Sequence, residues 1–93
     1  MPRNRPLSKT QLQLLAELDT SRLGRLMVEQ AWGKGPDGGK VSFGRRRVHA
    51  ARDLELMGLL ERIGRDKSME AQGNGNNIHY TLISYRRPAA KEA

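Results

Sequence analysis

The chain has 93 residues, 17 lysines and arginines against 10 aspartates and glutamates, and no cysteine. One domain with a modest core fits that length and a second does not, while the lack of cysteine excludes a disulfide framework, a thiolate zinc finger and a cysteine nucleophile. A net charge of +7 points to a polyanionic partner, and arginine as the main carrier favours phosphate and base recognition.

Residues 1–6, with Arg3, Arg5 and two prolines, read as a flexible basic arm. A first helix follows, opened by a capping box of Ser8 and Gln11 and a staple of Leu7 on Leu12, and it runs to about Asp19. Its leucines 12, 14, 15 and 18 span a wider arc than one packing face needs. That arc places the helix at the centre of the core or against a second subunit. Thr20 or Ser21 caps an expected second helix, with Leu23, Leu26, Met27 and Ala31 as its buried stripe and Gly33 at its end. Trp32 then closes the core edge, or meets a partner.

Residues 33–40, GKGPDGGK, form a turn-rich connector. A phosphate-binding loop does not fit, because Val41 follows Gly39-Lys40 where Ser or Thr is required and no strand precedes it. Lys34 and Lys40 remain available for nonspecific phosphate contact. Next, residues 42–58 read as an amphipathic helix with Ser42 as N-cap and Gly58 as the left-handed stop. Phe43, Arg47, Ala50, Leu54 and Met57 recur at helical spacing and should face the core. The opposite stripe holds Arg45, His49, Arg52 and Leu56, flanked by Arg46 and Asp53. Arginines at a helix start oppose the positive end of the helix dipole, so local stability does not explain them; an external polyanion would. Alternation in Leu60, Arg62 and in Ile78, Tyr80, Leu82 predicts a hairpin with a long, polar, mobile tip. Residues 86–93 read as a flexible tail.

Helix, helix, basic helix and hairpin, with LELMGLLERI over residues 54–63 ending one helix in a leucine-rich turn plus glycine, resembles the winged helix-turn-helix family of DNA-binding domains. The resemblance covers residues 7–85 and implies a mainly α fold of three helices plus a two-stranded wing. It makes 42–58 the recognition helix in the major groove, Leu59–Arg65 and Ile78–Ser84 the wing strands, and Lys67–Asn77 the wing tip. Ser42, Arg45, Arg46 and His49 then lie at the groove, where arginine reads guanine through N7 and O6. Arg52 holds phosphate, and Arg62, Arg65 and Lys67 grip the backbone or an adjacent minor groove.

His49 and His79 lack a second ligand at metal-binding spacing, and Asp53 and Glu55 fall on different sides of their helix, so no metal site, cofactor or catalytic pair is expected. The expected function is a small sequence-specific regulator of transcription, homodimeric, bound to double-stranded DNA. The alternative is a winged-helix adaptor or inhibitor with a protein partner. No run is apolar enough to span a bilayer, so a cytoplasmic protein without a membrane partner is expected, nucleoid-associated when on DNA.

Overall fold

The computed structural model describes residues 6–89. Its elements are α1 (Lys9–Thr20), β1 (Arg25–Lys34), β2 (Lys40–Phe43), α2 (Arg45–Leu56), β3 (Glu61–Gly73) and β4 (Asn76–Arg86). All four strands join one antiparallel sheet in the order β2-β1-β4-β3, and the molecule measures 57 × 27 × 24 Å. This mainly β architecture overturns the expected three helices plus wing. The arm's residues 1–5 and the tail's residues 90–93 lie outside the described residues.

α1 begins where local chemistry puts it. The Ser8 hydroxyl accepts from the Gln11 N–H, the Ser8 N–H donates to the Gln11 side chain, and both orphan groups of the first turn are satisfied. Leu14 and Leu18 are buried and Leu15 packs against the core, whereas Leu12 is 55% exposed. The wide leucine arc therefore resolves into one packing face with a single outlier, and Leu7 turns to the core instead of stapling Leu12.

The expected second helix is β1. Leu23, Leu26, Met27 and Ala31 fit a helical spacing, yet Leu26 and Val28 are buried while Arg25, Met27 and Glu29 on either side of them are exposed, which is strand alternation. Both edges of β1 are hydrogen-bonded, to β2 and to β4, and such long-range pairing outweighs a local periodicity read from four residues. The Gly/Pro-rich connector becomes the turn of the β1–β2 hairpin. Gly35 N–H donates to Gly39 O at 2.8 Å, and Asp37 Oδ1 accepts from the Gly39 N–H at 2.9 Å.

Ser42 does not cap α2; it lies in β2 opposite Trp32. The cap position belongs to Gly44, at φ +81°, where a Cβ would sit 1.9 Å from the Glu29 carbonyl oxygen of β1. Only glycine lets the chain turn from strand into helix this close to a neighbouring backbone. At the other end Gly58 (φ +80°) donates to Glu55 O and Leu59 donates to Leu54 O, the paired bonds of a Schellman stop. Ala50, Ala51 and Leu54 are buried, as their stripe requires. Phe43 instead sits in β2, 46% exposed, and Arg47 forms a bidentate pair with Glu17 of α1 at 2.8 Å.

The polar stretch expected as a mobile tip is regular strand. β3 and β4 pair along their length and turn through Asn74 (φ 53°) and Gly75 (φ 77°), the two left-handed residues that a tight primed turn demands. Thirteen residues of β3 extend about 43 Å at roughly 3.3 Å each, which accounts for the elongated shape.

Candidate nucleic-acid interface

Residues paired across antiparallel strands share a face, so the register sorts every side chain of the sheet. One face carries Leu26 with Tyr85 and Arg62, then Val28 with Ile83 and Arg65, then Gln30 with Thr81 and Lys67. The next row runs Ser42, Trp32, His79 and Met69 across all four strands, and Lys40 with Lys34 closes the series. The first two rows lie under the helices, where Leu26, Val28, Ile83 and Tyr85 join Leu14, Leu18, Ala51 and Leu54 in the core. Beyond Val28 no side chain of this face joins that core.

Side chains of Arg62 and Arg65, three residues apart, would fall on opposite faces of an uninterrupted strand. A register shift between Arg62 and Gly64 leaves Ile63 as an extra residue and restores both arginines to the same face. Lys67 follows two residues later. The outer strand thus presents three cations in a line on the face that carries the helices.

α2 answers with its own stripe. His49, Arg52 and Leu56 line a cleft of about 430 Å³ with Arg62, Arg65, Gln30, Thr81 and Tyr85. A second hollow, of about 550 Å³, is bordered by Gln30, Trp32, Lys34, Lys40, Ser42 and Arg45. Gln30 belongs to both, so the two form one trough with cations on either wall. Glu55 is the carboxylate in the first hollow, 3.9 Å from Arg62, and the second has none among its lining residues. Burial pushes the Tyr85 hydroxyl above its usual range, with Glu55 adding to the shift and Arg62, Arg52 and Arg65 opposing it. The reverse face takes the remaining acids of the sheet: Glu29, Asp66 and Glu70 share it with Met27, Ala31, Phe43, Tyr80 and Leu82, and Glu61 lies at its far end in one row with Arg86 and Arg25.

Of the expected site residues, Ser42, Arg45, His49, Arg52, Arg62, Arg65 and Lys67 gather along this trough. Arg46 does not. It lies behind α2 with Ser8, Gln11 and Asp53 near the start of α1, about a quarter turn from Arg45 as the helix period dictates. Trp32 and His79 were missed as a pair. Their rings stack with centroids 4.3 Å apart and planes 19° from parallel, and only the strand assignment of β1 brings them side by side.

Among the described residues, no group of three or more His, Asp or Glu is placed to hold a metal ion, and no helix is long and apolar enough to cross a membrane. Comparisons of this chain with protein-family models, with curated proteins and with solved structures find no match.

Proposed function

We propose that this chain is a nucleic-acid-binding module whose ligand lies in the trough between α2 and β3. The observation that carries this reading is the sorting of charge between the two sheet faces. Arg45, Arg52, Arg62, Arg65, Lys67, Lys34 and Lys40 converge on one side, whereas Glu29, Asp66 and Glu70 are placed on the other, where the cations of the sheet are Arg25 and Arg86 at the far end beside Glu61. A fold needs no such separation, since mixed charges keep a surface soluble equally well. A line of phosphates does need it.

The mode of docking differs from a recognition helix entering a major groove. Such a helix presents its reading side chains on a convex ridge, while His49 and Arg52 face the outer strand of their own sheet across a cleft. A trough of this kind follows a backbone along its length. Duplex DNA remains a ligand to be compared with single strands.

The test is a salt titration of binding to labelled oligonucleotides, followed by fluorescence anisotropy. Log affinity should fall linearly with log salt, by about 0.9 per phosphate contact for duplex and about 0.7 for a single strand. Replacing Arg52, Arg65 and Lys67 together by alanine should flatten the slope by about two to three units. All three are exposed, so the unfolding midpoint should stay nearly constant. Absence of binding at low salt, or an unchanged slope in the triple variant, would overturn the proposal.

A second reading, a protein partner or a second copy of this chain, has its support on the reverse face. There Phe43 and Met27 are exposed beside half-buried Tyr80 and Leu82, and no helix covers them. Sedimentation at several concentrations tests it directly: a monomer throughout would remove the second-copy version.

A further inference from the structure

We propose that Trp32, held by His79, is a stacking platform for an unpaired base, which makes single-stranded nucleic acid the preferred ligand of the trough; this rests on the nucleic-acid reading above. Trp32 sits on an inner strand of the sheet, where large aromatics are ordinarily covered, yet it is 55% exposed. Its ring is not loose, because His79 on the neighbouring strand lies parallel against it at 4.3 Å. One indole face is therefore occupied and its orientation set, while the ring also borders the hollow lined by Lys34, Lys40, Ser42 and Arg45. Stacking of a base needs a flat ring of fixed orientation with an accessible surface, and the strand that carries the base needs cations about a nucleotide's reach away.

Both requirements meet at this place, and elsewhere in the trough they do not. The 430 Å³ cleft has cations but no exposed indole or phenol ring, since Tyr85 is only 2% exposed and the exposed ring there is the smaller imidazole of His49. The reverse face has Phe43 and Tyr80 but is accompanied by Glu29, Asp66 and Glu70, which would repel phosphate. A duplex hides its base faces in its own stack, so it could use the cations alone. A single strand uses the cations and the ring together.

The chain contains a single tryptophan and two tyrosines, so emission excited at the red edge, where tyrosine does not absorb, reports on this platform alone. Three probes carry the experiment: a thymidine oligomer of about 12 nucleotides, within the site size that such grooves take, an abasic oligomer of equal length, and a blunt duplex. The thymidine oligomer should quench Trp32 saturably, whereas the abasic one should bind at least about tenfold more weakly, the loss expected for one stacked base, and leave the emission unchanged. Trp32→Leu should lower thymidine affinity to the abasic level, and Trp32→Phe should keep most of it. Should Trp32→Leu fail to fold, the quenching comparison with the native chain decides. Equal affinity for thymidine and abasic oligomers with no quenching, or duplex bound as tightly as single strand, would overturn the platform while leaving the phosphate trough standing. No salt-sensitive binding of any probe would overturn both.

Discussion

The two halves of one sheet face follow different rules. Near the helices, Leu26, Val28, Ile83 and Tyr85 are buried under Leu14, Leu18, Ala51 and Leu54, and there the alternation of the strands serves packing. One and two rows further along the same strands, Gln30 with Thr81 and Trp32 with His79 occupy equivalent positions outside that core, where Gln30, Thr81 and His79 are partly exposed and Trp32 is 55% exposed. No change of secondary structure separates the halves; only the core ends. A face that continues in register past its own core, with polar and aromatic residues in place of aliphatic ones, is not required by packing, and the proposed ligand draws on that surplus.

The largest expected effect tests the covered half. Leu54 is fully buried at the centre of α2's packing stripe, and Leu54→Ala should destabilise the domain by about 2–5 kcal/mol, the loss of transfer energy plus the cavity left behind. Urea unfolding should show a lower midpoint with an unchanged slope. A loss under about 1 kcal/mol would mean that α2 is not seated on the sheet as described.

A smaller effect separates two arginines that the sequence reading places in one DNA-binding set. Arg65 lines the cleft and Arg46 lies behind α2. Arg65→Ala should reduce the salt slope of oligonucleotide binding by about 0.7–0.9, and Arg46→Ala should leave it unaltered. Equal losses would show that the ligand wraps α2 on both sides, which would break the division between trough and back. Neither variant should shift the unfolding midpoint by more than about 0.5 kcal/mol in stability.

That contrast marks where sequence reasoning reaches its limit. The capping box at Ser8, the Gly58 stop and the cationic stripe Arg45, His49 and Arg52 were legible because each depends on residues within one or two turns of chain. β1 was misread because Leu23, Leu26, Met27 and Ala31 satisfy a helical period by themselves, and nothing local announces pairing with Leu82 or Tyr80 some fifty residues on. The hairpin did carry its signal. Asn74-Gly75 is a two-residue turn motif, and Ile78, Tyr80 and Leu82 mark the strand after it, but a polar stretch without alternating apolar residues hides the end of the strand before it. The Trp32–His79 stack depends wholly on that register, so it could be found only after the strands were known.

The smallest effect concerns what ties the helices to one another above the covered half. Arg47, from the stripe expected to face the core, reaches Glu17 of α1 with two hydrogen bonds of 2.8 Å. These bonds hold the Glu17 carboxyl below its usual value of 4.5 and raise Arg47. With the folded value depressed, the unfolded chain takes up the proton first as pH falls. The pair's stabilisation is therefore fully present above the unfolded value and is lost as pH drops through the folded one. Arg47 stays charged throughout that window and adds no pH dependence to it. Both side chains are more than a third exposed, 37% and 49%, so solvent screening limits the pair to under about 1 kcal/mol. Glu17→Gln should cost that amount at neutral pH, and the difference from the native chain should shrink toward zero in acid below the usual carboxylate range. High salt should shrink it as well. A difference that instead held constant from neutral to strongly acidic pH would show that the contact contributes through packing of the two long side chains, and the helices would then be joined without the ion pair.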